Sequence, residues 1–520
     1  MPKQKTDDLI RLVKSLTRAE KRHFRLFVRR NQASDDILFL KLFDYLDKHK
    51  IYDEAHILKK IPAIKKRQLS NLKAHLYKQL LVSLRLLNAN HNEDIQLRET
   101  LDYSRVLYDK GLYRQALDLL DKAKERAYAS HYLTLAMEVI EFEKLIESQY
   151  ITRSIEGRAD ALTEESNQLS EELNKTNQFS NLSLQLYGLY LKVGYVRNEK
   201  DYYFMREFFQ SNLPRVEYQD LDFLGKLYFC QAHVWYYHTT QEFALCYRYA
   251  QKWVDLFDEL PQYRQTYASL YLKGLHNLLN ALFNTLQYHR FVEVLDELLR
   301  FKEEVGVKHS KNIEGLYHLY YYIHNIKRHF LEGSFSEGLA LVPDLSAAMA
   351  ENRYNWDDHR IMVFYYRIAC LYFGSGDNAA AIDYLNLIIN QKNPDYRADI
   401  QCFARILNLI AHFELGNAQL VEYQVKSVYR FLSKMEDLHA VQLEIFRFLR
   451  RMPRIQEYAL GNEFANLRDK LLKHESDPFE RRPFLYLDII SWLEAKIHGL
   501  SVQEIAMQKH RQRLGGAEKD

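Results

Sequence analysis

Glycine, proline and cysteine are scarce: this chain of 520 residues holds 17, 9 and 4 of them. The first glycine is Gly111, and no stretch is rich in Gly, Pro or Ser, so no linker divides the chain into separate compact domains. So little glycine makes phosphate-cradling loops improbable. Gly-x-x-x-x-Gly-Lys-Ser/Thr, Gly-x-Gly-x-x-Gly, Gly-x-Ser-x-Gly and His-Glu-x-x-His are all absent. The four cysteines, Cys230, Cys246, Cys370 and Cys402, have neither C-x-x-C spacing nor a disulfide framework, which suits buried, reduced thiols. Alternating β-branched runs bounded by Asn-Gly or Asp-Gly are missing, so strands are not expected. No uncharged apolar run approaches the roughly 18 residues of a membrane span, and the N-terminus lacks an apolar targeting core. The expectation is a cytoplasmic protein without a membrane segment.

What is present is helix-forming: Leu, Ala, Lys, Glu, Arg and Gln dominate a chain that is 47% apolar, enough to bury a large core. Tyrosine is unusually common, with 38 residues beside 28 Phe, in clusters such as Tyr202-Tyr203-Phe204, Trp235-Tyr236-Tyr237 and Tyr320-Tyr321-Tyr322. Wedging between helices is the favoured role for these rings, and an aromatic-lined peptide groove is the sharper alternative.

A length of this size without linkers points to repeats, and one unit is clear: Gly111, Tyr113 and Ala116 open an apolar series continuing to Leu120 and Ala123. A glycine ends the turn, an aromatic starts the next helix, and small or apolar residues at steps of three and four keep one face toward a neighbouring helix. This matches the second half of a tetratricopeptide repeat. The pattern returns at Gly333, Phe335 and Gly338, at Gly376 and Ala381, and at Gly416 and Val421, with fainter copies without glycine around Phe243 and Phe291. The glycines of the later units lie 43 and 40 residues apart, against about 34 in the standard repeat, so longer helices are expected. The implied fold is all-α, a right-handed α-solenoid of about ten stacked antiparallel helix pairs. Residues 1–95 form a basic helical N-terminal region, 96–482 the degenerate repeats, and 483–520 a C-terminal capping helix and a frayed tail.

Local signals support the ends. Thr17 and Glu20 make a capping box ahead of Phe24 and Phe27. Helices are expected over 36–48, 53–60, 65–87 and 154–180, and an apolar one over 483–497, while the chain after Gly499, with Gly515-Gly516, should fray. With the opening Leu16-Thr-Arg-Ala-Glu-Lys-Arg-His-Phe24 and the closing Phe484-Leu-Tyr-Leu-Asp-Ile-Ile-Ser-Trp492-Leu-Glu-Ala-Lys496, the chain resembles an uncharacterised bacterial family of long, tyrosine-rich tetratricopeptide-like proteins. The resemblance implies a fold over nearly the whole length and carries no catalytic or ligand residues.

No catalytic residue, metal ligand set or cofactor is implied. His318 with His324 and His233 with His238 miss the i, i+4 spacing of helical metal ligands. Adjacent carboxylates such as Asp357-Asp358 diverge by about 100° on a helix. Charge is more informative: residues 1–90 hold 21 Lys and Arg against 9 Asp and Glu, so the rest of a chain of net +3 is acidic. Lys65, Lys66, Arg67, Asn71, Lys73 and Lys78 are the candidate contacts for a nucleic acid or an acidic partner. Against this, Leu69, Leu72, Leu76, Leu80, Leu81 and Leu84 mark the same segment as an ordinary stack helix with a wet basic face. The functional expectation is a non-enzymatic scaffold or adaptor that binds a protein or peptide segment on the repeat surface. The alternatives are a nucleic-acid-associated regulator using residues 1–90, a homo-oligomeric structural protein, and an enzyme, which would require a cluster of polar residues with perturbed protonation that the sequence does not reveal.

Overall fold

The computed structural model describes residues 2–31, 37–49, 52–89, 92–149, 157–304, 310–391, 398–434, 440–451, 455–475, 477, 479–480, 484 and 488–517. Among them every regular element is a helix. The chain divides into two compact units, Met1–Leu173 and Asn174–Asp520.

In the first unit α1 (Pro2–Ser15), α2 (Arg18–Asn31), α3 (Leu38–Lys48), α4 (Glu54–Lys60) and α5 (Lys66–Asn88) share one core, built on Val13, Phe24, Leu42, Phe43, Leu76 and Leu80. The Thr17 capping box forms: the Thr17 N–H donates to Glu20 Oε2 at 2.6 Å, and the Glu20 N–H donates to Thr17 Oγ1 at 3.2 Å. Asp53 caps α4 in the same way, accepting from the His56 N–H. The expected helix over 36–48 begins at Leu38, and Asp36 lies outside the described residues. Along α5 the leucine stripe turns inward except at Leu81, which is 45% exposed.

Next come α6 (Glu93–Asp109), α7 (Tyr113–Ala129) and α8 (Leu133–Gln149), with α7 packed on α6 and α8 on α7. Gly111 takes φ +76°, a left-handed conformation that costs glycine little, and so ends α6 just before Tyr113 opens α7. Ala116 is fully buried. α9 (Arg158–Val193) is the helix expected over 154–180, extended at its C-terminal end. Residues 154–156 lie outside the described ones.

The second unit continues with α10 (Glu199–Asn212), α11 (Phe223–Thr239), α12 (Phe243–Glu259), α13 (Tyr263–Thr266), α14 (Ala268–Asn284), α15 (Tyr288–Glu304), α16 (Lys311–Glu332), α17 (Phe335–Gly338) and α18 (Val342–Ala350). It ends with α19 (Asp358–Ser375), α20 (Asn378–Ile389), α21 (Ala398–Glu414), α22 (Ala418–Lys434), α23 (Ala440–Arg451), α24 (Leu460–Glu475), α25 (Ile489–His498) and α26 (Val502–Ala517). Neighbouring helices pair and stack: α11 on α12, α14 on α15, α19 on α20 and α21 on α22. The first helices of successive pairs also touch one another, α14 against α16, α16 against α19 and α19 against α21.

Gly333, Gly376 and Gly416 have φ of +73°, +94° and +75°. The copies that lack glycine keep the turn by placing Gln241 (φ 62°) and Leu286 (φ 56°) in the left-handed region. There the Glu242 N–H donates to the Tyr237 carbonyl and the Gln287 N–H to that of Leu282, the same closure that Asn417 makes on His412. Ala381 and Val421 are buried, Phe335 opens α17, and a Cβ on Gly338 would stand 2.9 Å from Leu371.

The C-terminus differs from expectation. Where fraying is expected beyond Gly499, the chain forms α26, nucleated by a capping box in which the Ser501 N–H donates to Glu504 Oε2 (2.8 Å) and the Glu504 N–H to Ser501 Oγ (3.1 Å). α26 packs on α16 and α19, in the middle of the unit. Gln503 Oε1 accepts from both the N–H and the hydroxyl of Ser336, and His510 stands edge-on to Tyr288. Of the apolar helix expected over 483–497, α25 is described; residues 483 and 485–487 lie outside the described ones. Its Trp492 is buried against Phe413 and Phe464.

Candidate functional site on the first-helix face

The basic N-terminal residues separate into two groups. Lys21 and Arg25 pair with Asp47, Arg25 also with Asp44, and Lys73 donates to the Tyr52 hydroxyl (3.0 Å) while lying over its ring. These hold the unit together. Lys65, Lys66, Arg67, Asn71 and Lys78 are exposed. Lys65 precedes α5 and Lys66 and Arg67 occupy its first turn, which has no acidic residue, although a helix N-terminus disfavours cations.

A different cluster lies on the face of the second unit formed by α14, α16 and α19. On α14, Lys273, His276 and Asn280 follow at steps of three and four. On α16, Tyr320, His324 and Lys327 follow at four and three, and on α19 Arg360 and Arg367 are two turns apart. Each set therefore forms a stripe along one side of its helix. Contact between the helices joins the stripes: His276 stacks on Tyr320 at 4.0 Å and 13°.

One directed hydrogen-bond chain runs through the cluster. Lys327 Nζ donates to Asn280 Oδ1 (2.7 Å), which leaves Asn280 Nδ2 to donate to His276 Nε2 (3.0 Å). His276 Nδ1 must then carry the proton shared with His324 Nε2 (2.8 Å), so His324 holds its own proton on Nδ1, which has no partner. A further proton on either ring would set two donors face to face. Burial pushes both imidazoles well below their ordinary range, and their neighbours push the same way, Lys327 and then Arg367 on His276, and His276 ahead of Lys327 and Arg367 on His324. Burial and Arg367 likewise lower the Lys327 ammonium. Protein atoms surround His276 as densely as a core residue, yet His276 and Asn280 keep accessible surface and Lys273 and Arg360 are exposed. The cluster thus runs from a buried floor at His324 and Lys327 to the surface at Lys273 and Arg360. Around it stand Tyr187 and Trp235, whose rings are 4.7 Å apart, and the half-buried Cys370, whose thiol burial pushes up to about 12.

The histidines considered in sequence are not joined as pairs. His318 stacks on Tyr354, whereas His233 bonds the Phe229 carbonyl and stacks on Tyr249. The pairing that forms, His276 with His324, joins residues 48 apart on different helices, and residue spacing could not reveal it. Among the described residues no group of three His, Cys, Asp or Glu side chains is placed to hold a metal ion, and no helix is long and apolar enough to cross a membrane.

These histidines fix a pH dependence. His233, pulled to about 4 by burial, joins His276 and His324 in staying neutral when folded, while the unfolded chain takes up protons below about pH 6.5. A lowered imidazole therefore contributes stability that is complete above that value and is lost as pH falls toward 4. Urea titrations should give an unfolding free energy lower by about 3 kcal/mol or more at about pH 4.5 than at pH 7. An unchanged midpoint would refute the neutral network. No family model, curated protein or solved structure matches the chain.

Proposed function

We propose that this protein is a non-enzymatic adaptor of tetratricopeptide-like type, a right-handed solenoid of the bacterial family it resembles, and that its first-helix face holds a polypeptide segment of a partner. The observation that carries this reading is the stripes of aromatic and polar side chains on three successive first helices, joined where His276 stacks on Tyr320 and flanked by Tyr187, Trp235, Lys273 and Arg360. Rings and cations of this kind supply most of the binding energy at interfaces. A peptide library displayed against the purified full-length chain tests it. Selected peptides should bind the wild type and lose about tenfold or more in affinity to Tyr187→Ala and Lys273→Ala, the loss of one anchor. Equal binding to these variants, or no enriched sequence, would sink the reading.

A second reading has one observation in its favour: the exposed cations at the start of α5, in a place the helix dipole disfavours, invite phosphates as counter-charge. In this reading the basic region touches nucleic acid and the repeats sense a partner. Fluorescence anisotropy with single- and double-stranded oligonucleotides at two salt concentrations decides it. Submicromolar, salt-sensitive binding abolished by Lys65→Glu with Lys66→Glu and Arg67→Glu supports the regulator; no binding at physiological salt ends it.

A further inference from the structure

A cavity of about 350 Å³ lies between the start of α15, the end of α16 and the last turns of α26. Ligand pockets run from about 300 to 1,000 Å³, so this one suits a small molecule. Three leucines, Leu286, Leu331 and Leu514, and Tyr288 give it apolar walls. The Tyr288 hydroxyl is engaged elsewhere, donating to Glu332 Oε1 at 2.7 Å, and Glu332 also accepts from Arg328 and Ser334. The remaining lining residues are Gln287, His289, Arg290, His510 and Arg513, none of them acidic. Arg290 is held by Glu293 at 2.7 Å, whereas Arg513 is exposed and has no ion pair among the described residues. Burial lowers the His510 imidazole, Glu332 raises it, and Arg513 and His289 lower it further. At neutral pH Arg513 therefore supplies the full charge that lacks a partner. Leu286 adds a second oddity. The turn holds it in the left-handed region at φ 56°, where a bulky side chain is strained, and it stays 49% exposed at the edge of the cavity.

We propose that this cavity binds a small free organic acid, with its carboxylate at Arg513 and its apolar body against Leu286, Leu331 and Leu514, and that the ligand ties α26 to α15 and α16. Charge and wall chemistry together select the class. One unpaired guanidinium matches a monoanion and can take both carboxylate oxygens in a fork. A phosphate ester brings nearly two charges, which a single unpaired cation does not balance. A neutral hydrocarbon would cover the leucines but leave the guanidinium unanswered. Covering Leu286 removes apolar surface from water, a gain that the empty cavity forgoes. The site uses none of the stripe residues on α14, α16 and α19, so the proposal stands independently of the peptide-binding reading.

Calorimetric titration of the full-length protein with phenylbutyrate, phenylbutanol and acetate tests it. Phenylbutanol keeps the body and loses the charge; acetate keeps the charge and loses the body. Phenylbutyrate should bind the wild type, outcompete both controls and slow limited proteolysis of α26. Arg513→Gln should lose about threefold or more in affinity, the scale of one exposed ion pair. Leu286→Gly should lose about fivefold, for a half-buried leucine wall. Glycine suits the left-handed turn, so that variant should melt no lower than the wild type, and its weaker binding cannot be put down to misfolding. No phenylbutyrate binding, equal binding of phenylbutanol, or undiminished affinity in both variants would overturn the proposal. Tighter binding of N-acetyl-leucyl-leucine than of phenylbutyrate would also end it, by making the occupant the end of a peptide chain.

Discussion

Gly333→Ala lowers the unfolding free energy by about 3 kcal/mol and releases α26 from its seat, by the combined cost of a left-handed alanine and an overpacked contact. The added Cβ would stand 2.5 Å from the Met507 nitrogen and 2.7 Å from the Ala506 carbonyl carbon, main-chain atoms that cannot rotate away. Gly416→Ala is the control. That glycine has the same left-handed backbone, φ +75°, with nothing within 4 Å of the new methyl, so it should lose only about 1 kcal/mol. Urea denaturation gives the two costs, and limited proteolysis of α26 reports its release. Equal losses would mean that the contact between Gly333 and α26 contributes nothing.

Glu143→Ala in the first unit costs about 3–5 kcal/mol, the penalty for removing one partner of a buried ion pair. Glu143 is fully buried, accepts from Lys124 Nζ at 2.8 Å and has Arg158 at 3.5 Å; Lys124 also meets Glu165 at 3.0 Å. Burial pushes the Glu143 carboxyl up against the pull of Lys124. Burial opposes the Lys124 charge too, but Glu143 and Glu165 hold its ammonium above the ordinary value. The two sides of the pair thus report one interaction among costly surroundings. Glu143→Met combined with Lys124→Met should recover most of the loss, because an apolar pair of similar volume replaces a desolvated ionic one. A double variant as unstable as Glu143→Ala, measured in urea, would show that packing and not charge sets the cost.

Helix content and the turns were legible because they are written locally. Gly111, Gly333, Gly376 and Gly416 each mark a left-handed turn, and the Thr17–Glu20 capping box is visible three residues apart. Gln241 and Leu286 occupy the same conformation without the residue type that announces it, so the copies around Phe243 and Phe291 were faint. The C-terminal helix was missed for a related reason. Gly515 and Gly516 suggested fraying, yet each glycine costs a helix only about 1 kcal/mol, and docking on α16 and α19 outweighs that. Ser501 and Glu504 carried the contrary signal in plain view. The candidate site was not legible because its members come from α14, α16 and α19. His276 meets His324, and Lys327 meets Asn280, only once the register between helices is set, and degenerate repeats leave that register open.

The docking of α26 also changes how the second unit comes apart. In an open stack each helix pair contacts only its neighbours, so unfolding can begin at a free end and proceed unit by unit. Here the last helix is tied to α16 and α19, which turns the intervening segment into a closed loop in the pattern of contacts. Removing any pair between α19 and α25 must either break that tie or stretch it, so the C-terminal half loses its independent end and melts as one block. The same closure delays folding: α16 cannot gain its contact with α26 until the chain beyond residue 500 has been made, and long-range contacts of this kind are the slow ones to form.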